Sequence, residues 1–341
     1  MVEFDYDALR RIGLNNQMIA SLAGVDTAGQ LYRITEIQRD RISLHDGQTE
    51  YRARALPRLL AESALCVGDW VIAEHNALQE LWINHRLSPA NQLTRFAADG
   101  NPQPLASNID TALLVMGLDG DFNLRRLERY LALVANAQIT PVIILSKPDI
   151  CSDIEEKMAA LRKRIPGCPP CFAVNGNDAA SVAQLNPWLE AGQTICLLGS
   201  SGAGKSTLTN MLTGALQETG PVRLGDQRGR HTTTARSLHR CLAGACIIDT
   251  PGLRSLSPES VAAFDDIETL AAGCQFRDCL HEGEPGCAVS THIDPDRLRN
   301  YHKLQREVRR HQQTALERIA ERNKWKSLMK TASVRSRDKR R

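Results

Sequence analysis

The sequence predicts a multidomain protein with an N-terminal β-barrel, a central α/β domain and a mostly helical C-terminal domain. Short β-like runs separated by turn signals predict the barrel, and strands alternating with helical stretches from Asp110 onward predict a parallel sheet wrapped by helices. After Pro258 the pattern is mostly helical, and a cluster of cysteine and histidine interrupts it. We therefore expect an arm over residues 1–30, a barrel over 31–100, an α/β domain over 105–260, a helical domain over 261–323 and a basic tail over 324–341.

The barrel is predicted from four β-like runs, with turn dipeptides at Asp46-Gly47 and Gly68-Asp69. The runs are Leu31–Ile37, Thr49–Ala55, Trp70–His75 and Glu80–Asn84. An OB-fold is one small barrel of this size, but the spacing alone does not separate it from an SH3-like barrel. Prolines at positions 102 and 104 predict a linker after the barrel.

The α/β domain is predicted from apolar runs that alternate with amphipathic stretches. The expected strands are Thr111–Met116, Val142–Leu145, Cys171–Val174, Thr194–Leu198 and Ala245–Ile248, and the expected helices are Leu124–Gln138, Asp153–Ile165 and Ala179–Glu190. Near the C-terminus, Asp294-Pro295 offers a helix cap followed by proline at the first helical position.

A phosphate-binding loop is the strongest chemical signal in the chain. The pattern G-x-x-x-x-G-K-[ST] follows a predicted strand and precedes a helical run, as a P-loop requires. Its glycines let backbone N–H groups surround phosphates, the lysine charge faces the β and γ phosphates, and the serine hydroxyl is a ligand for Mg²⁺. The residues are Gly199, Ser200, Ser201, Gly202, Ala203, Gly204, Lys205, Ser206 and Thr207.

Two further motifs bear on the choice of nucleotide. Asp249 and Gly252 form a D-x-x-G sequence after a buried strand, where the aspartate can hold Mg²⁺ and the glycine N–H can approach the γ-phosphate. An ATPase would supply the same aspartate, so this element alone leaves the base open. Guanine is indicated by the S-K-x-D sequence after Val142–Leu145, whose carboxylate can accept from the base. Its residues are Ser146, Lys147, Pro148 and Asp149.

The order of these motifs predicts a circularly permuted GTPase domain, because the base-reading motif precedes both the P-loop and D-x-x-G. Between the latter two lies the loop 229–234, in which Thr233 first and Thr232 second are candidates to complete the Mg²⁺ shell. Leu253 stands where many GTPases place a water-orienting glutamine, so unaided hydrolysis is expected to be slow. His231 is a candidate to position the water, the alternative being a simple exposed histidine.

A metal site is predicted from three cysteines and a histidine within a short stretch. Cys274, Cys279, His281 and Cys287 form a closed Cys₃His set, which suits one structural Zn²⁺; the alternative is a chance cluster of cysteines. The C-x-x-C at Cys168 and Cys171 has no second pair nearby, so ordinary structural cysteines are expected there rather than a redox or metal site.

Charge is distributed unevenly along the chain. The whole chain carries +3, but from Thr291 to Arg341 there are 16 Lys and Arg against 6 Asp and Glu. An acidic body with a basic end predicts a polyanionic partner, unless the helix is merely solvated. Aromatics are only 4%, which argues against a broad base-stacking platform. No apolar run has the length of a membrane span and the first residues do not read as a signal peptide, so we expect a cytoplasmic protein with no membrane partner. We also expect a monomer.

With these motifs in this order, the chain resembles the RsgA family (also called YjeQ or YloQ) of GTPases that depend on the small ribosomal subunit. The matching residues are 106–110, 146–149, 199–207, 229–234, 249–252, 274–281 and Cys287. The resemblance implies an OB-fold, a permuted GTPase domain and a zinc domain. It also implies GTP hydrolysis stimulated by the small (30S) subunit during its late maturation, with rRNA contacts from the OB and zinc domains. The proposed catalytic histidine of the family falls on His231.

Two positions depart from the family pattern. Ser146 stands where asparagine is usual, which removes an amide able to bridge the base and the P-loop, so a lower nucleotide affinity is expected. The usual Ser-Ala of a second base loop is replaced around residues 173–175, and no residue is assigned there. Two rival functions also remain: a P-loop ATPase in another RNA process, and a zinc-dependent RNA-binding protein with a degenerate nucleotide site.

Overall fold

The protein is described from a computed structural model that covers residues 2–23, 25, 28–38, 41–96, 102–215, 236–249, 261–312 and 317. The N-terminal part and the barrel contain β1 (Val2–Glu3), α1 (Tyr6–Arg10), α2 (Asn16–Ala20), β2 (Gly29–Gln38), β3 (Arg41–His45), β4 (Glu50–Ala55), α3 (Pro57–Glu62), β5 (Trp70–His75) and β6 (Leu81–Arg86). Within the described residues, no helix combines the length and the hydropathy needed to cross a bilayer.

Five of these strands close into a barrel. The order is β2-β3-β4-β6-β5, and β5 pairs back onto β2. β4 and β6 run parallel, and α3 lies between β4 and β5 in the chain. The closed five-stranded barrel confirms the OB-fold expectation over the SH3-like alternative. β3 was not predicted, because Arg41–His45 has only two apolar residues among polar ones.

The expected linker at positions 102 and 104 is wrong. A hairpin of β7 (Gln92–Phe96) and β8 (Pro102–Ser107) follows the barrel, and both prolines lie within β8. Proline is tolerated because β8 pairs along one edge with β7 and, among the described residues, bridges on its other edge to Val67 only at Ala106, away from both prolines.

The α/β domain forms around a mainly parallel sheet. Its elements are β9 (Thr111–Gly117), α4 (Leu124–Asn136), β10 (Thr140–Ser146), α5 (Ile154–Arg164), β11 (Cys171–Val174), α6 (Ala179–Val182), β12 (Thr194–Gly199), α7 (Lys205–Thr213), β13 (Ser237–Arg240) and β14 (Cys246–Asp249). The strand order is β11-β10-β9-β12-β14-β13, with only β13 antiparallel to its neighbour in the domain. Every residue of β9 and of β12 is buried, as expected for strands covered on both faces.

The C-terminal domain is helical, as predicted. It contains α8 (Asp265–Ala271), α9 (Ala288–His292) and α10 (Pro295–Gln312). Asp294 caps α10, since its Oδ1 accepts from the backbone N–H of Asp296 and Arg297 at 2.8 and 3.0 Å. Leu298, Tyr301 and Leu304 of α10 pack in a small core with Phe264.

The barrel and the α/β sheet are continuous. Ser237 of β13 pairs with Glu36 of β2 on one side and with Asp249 of β14 on the other. The barrel and the sheet are also joined by Arg33 of β2, which is fully buried and donates to the Oγ1 of Thr194 (2.8 Å) at the start of β12. The Arg33 guanidinium also donates to the carbonyl oxygens of Ile12, Gly68 and Asn108, so it connects the N-terminal residues, the barrel and the sheet.

Candidate active site and metal centre

The predicted P-loop lies between β12 and α7. A Cβ on Gly199 would lie 2.3 Å from the carbonyl oxygen of Val115, so only glycine fits where β12 ends beside β9. Gly204 precedes the first residue of α7 with φ +89°, a left-handed conformation that glycine adopts without strain. The N-terminal N–H groups of α7 are therefore presented at the carboxyl edge of the sheet, which is the arrangement that binds anions.

Lys205 and Asp249 come together at this edge, because β12 and β14 are parallel neighbours. The Lys205 ammonium donates to the carbonyl oxygens of Gly199 (2.8 Å) and Ser200 (2.6 Å). Burial raises the pKa of Asp249, and the charges of His239 and Lys205 oppose that rise. Ser206 is exposed in the first turn of α7. The hydroxyl of Ser206 and the carboxylate of Asp249 are the hard oxygen ligands that Mg²⁺ takes.

The base-reading motif lies at the same edge. β10 ends at Ser146, two strands from β12, and the Ser146 hydroxyl donates to the carbonyl oxygen of Ala203 at 2.6 Å. The usual asparagine amide is expected to contact both the base and the P-loop, and the Ser146 hydroxyl makes the second of these two contacts. Asp149 is exposed in a short 3₁₀ turn, Pro148–Ile150, that follows Lys147.

Two aspartates that sequence reasoning missed contact these motifs. Asp121 Oδ2 accepts a hydrogen bond from the Ser200 hydroxyl at 2.5 Å, and Asp119 Oδ2 lies 2.6 Å from Lys147 Nζ. Burial alone would raise the pKa of Asp119, but the hydrogen bond from Lys147 and others lower it below its usual range. Both residues lie in the loop after β9, and no pattern marks them, because their partners are 28 and 79 residues away in the chain.

Several predicted residues lie outside the described part of the chain. These are His231, Thr232, Thr233 and Gly252, together with Leu253 and the basic tail over 324–341.

The predicted metal ligands come together in the C-terminal domain. The ligand atoms of Cys274, Cys279, His281 and Cys287 all lie within 4.8 Å of one another. His281 Nδ1 is 3.6 Å from Cys274 Sγ and 3.4 Å from Cys287 Sγ, and these two sulfurs are 3.9 Å apart. Zn–S and Zn–N bonds of about 2.3 and 2.0 Å in a tetrahedron place neighbouring ligand atoms about 3.5–3.8 Å apart, so the set fits zinc.

The C-x-x-C motif has no activated thiol. Cys168 and Cys171 are half-buried against the main core. Burial raises the pKa of Cys171 to about 12 and also raises that of Cys168. A raised pKa disfavours the reactive thiolate, which agrees with ordinary structural cysteines.

Comparison with known proteins decides the family. A family model described as RsgA GTPase matches residues 87–259, which include the P-loop and the base-reading motif. This chain belongs to the RsgA GTPase family. The resemblance inferred from the motifs is therefore confirmed. The predicted enzyme class, a GTP hydrolase, is confirmed as that of the family.

Relatives within the family match most of the chain. A protein named small ribosomal subunit biogenesis GTPase RsgA from Xylella fastidiosa (strain 9a5c) is 45% identical over 270 residues, covering 76% of this chain and 77% of the relative. One of the same name from Xanthomonas oryzae pv. oryzae (strain MAFF 311018) is 46% identical over 283 residues, covering 79% and 77%.

Two solved structures share the fold. YjeQ from Thermotoga maritima aligns with a TM-score of 0.62 at 22% identity, covering 82% of this chain and 98% of that one. YloQ, described as a circularly permuted GTPase, aligns with a TM-score of 0.59 at 23% identity, covering 83% and 96%. The permuted order also fits the sheet, in which β9 and β10 precede the P-loop strand in the chain and lie on one side of it.

Proposed function

We propose that this chain hydrolyses GTP during biogenesis of the small ribosomal subunit, as its relatives of that name do. One observation carries the catalytic part: the P-loop, the base-reading motif and Asp249 meet at one edge of the sheet, and Ser146 joins the first two. The ribosomal part rests on the names of relatives that are 45–46% identical.

Each motif residue has a proposed role in binding the nucleotide. The N–H groups of Gly199–Thr207 surround the phosphates, Lys205 neutralises the β and γ phosphates, and Asp149 accepts from guanine. Lys205 must leave the carbonyl oxygens of Gly199 and Ser200 to reach a phosphate.

Magnesium is proposed to be held by Ser206 and Asp249, with Thr233 completing the shell when GTP is bound. When bound, the ion neutralises charge that develops between the β and γ phosphates. Thr232 is the second choice for this ligand. Because position 253 is leucine rather than glutamine, His231 is proposed to position the attacking water.

Zinc is proposed to bind as one structural ion at Cys274, Cys279, His281 and Cys287. Burial would raise the pKa of Cys287, but hydrogen bonds from Ser290 and His281 lower it to about 6, whereas burial and the neighbouring Cys287 and Cys274 raise the pKa of Cys279 to about 12. A thiolate at neutral pH is the form that ligates metal. The four ligands leave no coordination position for water, which supports a structural role.

The remaining parts of the proposal concern the whole chain. The barrel over 31–100 and the zinc domain over 261–323 are proposed to contact rRNA, with the basic tail over 324–341 contributing and the GTPase domain over 105–260 between them. The subunit is proposed to stimulate hydrolysis late in its maturation, and the protein is proposed to act as a cytoplasmic monomer.

The test is the rate of phosphate release from GTP, with and without purified small ribosomal subunits. We expect slow hydrolysis alone and a large stimulation by subunits, and no activity from Lys205→Ala under either condition. A rate that subunits leave unchanged would remove the ribosomal part of the proposal. If ATP displaces bound GDP as effectively as GTP does, the ATPase alternative is favoured. If the Lys205→Ala variant retains full cellular function, a non-enzymatic RNA-binding protein is favoured.

A further inference from the structure

The loop between β9 and α4, residues 118–123, contacts both nucleotide motifs without belonging to either. Asp121 accepts from the hydroxyl of Ser200 in the P-loop, and Asp119 pairs with Lys147 of the base-reading motif. Asp121 Oδ2 also lies 3.5 Å from the backbone N of Gly117, so the carboxylate is anchored to the end of β9.

A carboxylate beside a phosphate-binding loop opposes phosphate electrostatically, since like charges repel. The Asp121 charge is compensated by Arg126 in the first turn of α4, whose Nη2 lies 2.5 Å from Asp121 Oδ1 and also contacts the Asp121 carbonyl oxygen. Only 19% of the Asp121 side chain and 30% of the Arg126 side chain is exposed. The ion pair therefore retains a hydrogen-bond acceptor for Ser200 with little net charge.

Within the described residues, side chains from outside the P-loop hydrogen-bond to it at Ala203 and at Ser200. Ser146 binds the carbonyl oxygen of Ala203 near the start of α7, and Asp121 binds Ser200 near the end of β12. The Lys205 ammonium also holds Ser200 through its carbonyl oxygen, but that contact breaks when Lys205 turns to a phosphate. The hydrogen bond that the Ser200 hydroxyl donates to Asp121 does not involve Lys205, so it can persist when a nucleotide is bound.

We propose that Asp121 is a positioning residue that fixes the P-loop at Ser200 for nucleotide binding, while Arg126 screens its charge from the phosphates. The proposal rests on the nucleotide binding proposed above. It predicts two separable effects: one from the loss of the hydrogen bond, and one from the exposure of an unpaired carboxylate.

The hydrogen bond is tested by the equilibrium affinity for GDP and for a non-hydrolysable GTP analogue, with Mg²⁺ present, in the full-length chain. At high salt, which screens the Arg126 charge that the variant leaves unpaired, Asp121→Ala is expected to weaken both nucleotides about tenfold, because a hydrogen bond to a charged acceptor is lost. Asp121→Asn keeps an oxygen acceptor and is expected to retain most of the affinity. Ser200→Ala is expected to match Asp121→Ala, and the double variant is expected to lose no more than either.

The charge is tested by Arg126→Gln at low and high salt. The unpaired carboxylate is expected to weaken the GTP analogue about threefold more than GDP, because the analogue carries more negative charge and high salt screens the difference. Asp121→Asn combined with Arg126→Gln is expected to restore the wild-type ratio. If the ion pair had a purely structural role, the ratio of the affinities for the GTP analogue and for GDP would not depend on salt. Glu155→Gln, an exposed carboxylate on α5, serves as the control and is expected to leave both affinities unchanged.

Wild-type affinity in Asp121→Ala, or losses from Asp121→Ala and Ser200→Ala that simply add, would overturn the proposal. If Asp121→Ala does not fold, as judged by circular dichroism, Ser200→Ala and Asp121→Asn decide the matter alone. Failure of the wild-type chain to bind either guanine nucleotide is a different outcome, and it would overturn the proposed function together with this inference.

Discussion

At the residue scale, Ser146 shows how a departure from a motif can retain part of its function. The side chain is buried at the end of β10, and its hydroxyl reaches the P-loop carbonyl of Ala203. A hydroxyl is shorter than the amide of asparagine and has a single donor. It can therefore satisfy the P-loop, but it has no second donor for the base.

Replacement of Ser146 separates these two contacts. We expect Ser146→Ala to weaken GDP binding about fivefold, because the Ala203 carbonyl oxygen loses its partner and such a bond contributes about 1 kcal/mol. Ser146→Asn restores a donor and is expected to bind at least as tightly as wild type. Titration with a fluorescent GDP analogue measures both, and equal affinity of the alanine variant would show that the P-loop does not depend on this contact.

At the element scale, α10 is fastened to α4 and α5 by charged groups. Glu128 of α4 is 1% exposed and accepts from Arg164 of α5 and from Arg297 of α10, each at 2.8 Å. Nearby, Asp296 of α10 pairs with Arg125 and Arg164. The C-terminal domain is therefore attached to the α/β domain through ion pairs as well as through apolar contacts.

The Asp296 contacts give this attachment a pH dependence. Hydrogen bonding from Arg125, followed by that from Arg164 and Arg299, holds the pKa of Asp296 well below its usual range, although burial opposes the shift. A depressed pKa gives its full stabilisation of the folded state above the unfolded value of about 3.9, and that stabilisation declines progressively as the pH falls from there through the lower pKa of the folded state. We expect Asp296→Asn to lower the free energy of unfolding in urea at pH 7, and to lower it distinctly less near pH 2, where part of the stabilisation by the wild-type carboxylate has already been lost.

The control for this titration is Glu155→Gln, whose carboxylate is exposed on α5. It should give a small difference at both pH values. A destabilisation by Asp296→Asn that is the same at pH 7 and pH 2 would show that the ion pairs do not carry the effect.

The metal centre is a second element whose stability depends on conditions. We expect a strong chelator to unfold the region around α8 and α9, because it would remove the zinc ion proposed to hold the four clustered ligands together. Amide hydrogen exchange measured along the chain is expected to rise in residues 261–293 and to change little in β9 and β12. The prediction would be contradicted if the chelator left the exchange rates of residues 261–293 unchanged, or if elemental analysis found no zinc in the protein.

Sequence patterns located most elements of the α/β domain, because buried strands and amphipathic helices leave clear periodicities there. The helix expected over Ala179–Glu190 is instead a short α-helix, Ala179–Val182, followed by a 3₁₀ stretch, Ala183–Trp188. β11 begins and ends where it was expected, and so does β5 of the barrel. The contacts between elements could not be predicted in the same way. Glu128 and Arg297 are 169 residues apart, and each alone reads as an ordinary surface charge. Asp121 was missed for the same reason.

At the scale of the whole molecule, Arg33 connects parts that are distant in the chain. Its buried guanidinium donates to residues before, within and after the barrel, and stacks 5.2 Å from the Trp70 ring. Burial lowers the pKa of Arg33, while Asp110 and other neighbouring groups oppose that shift.

Removal of the Arg33 charge should therefore destabilise the chain as a unit. We expect Arg33→Met to lower the free energy of unfolding by about 3 kcal/mol, because several buried carbonyl oxygens lose their donor at once. Arg41→Met, on the exposed side of β3, is the matched control and should change stability little. Chemical denaturation followed by circular dichroism measures both, and equal stabilities would contradict the role given to Arg33.

The pairing of β13 with β2 also has a mechanical consequence. Glu36, Ser237 and Asp249 lie side by side on three adjacent strands. Strands are spaced about 4.8 Å apart, so the main chain of the barrel runs about 10 Å from that of Asp249. A force that tilts the barrel acts on the hydrogen bonds of β13 and reaches the strand of Asp249 without crossing any loop. The barrel is thus connected to the strand that carries Asp249 through two successive steps of main-chain pairing.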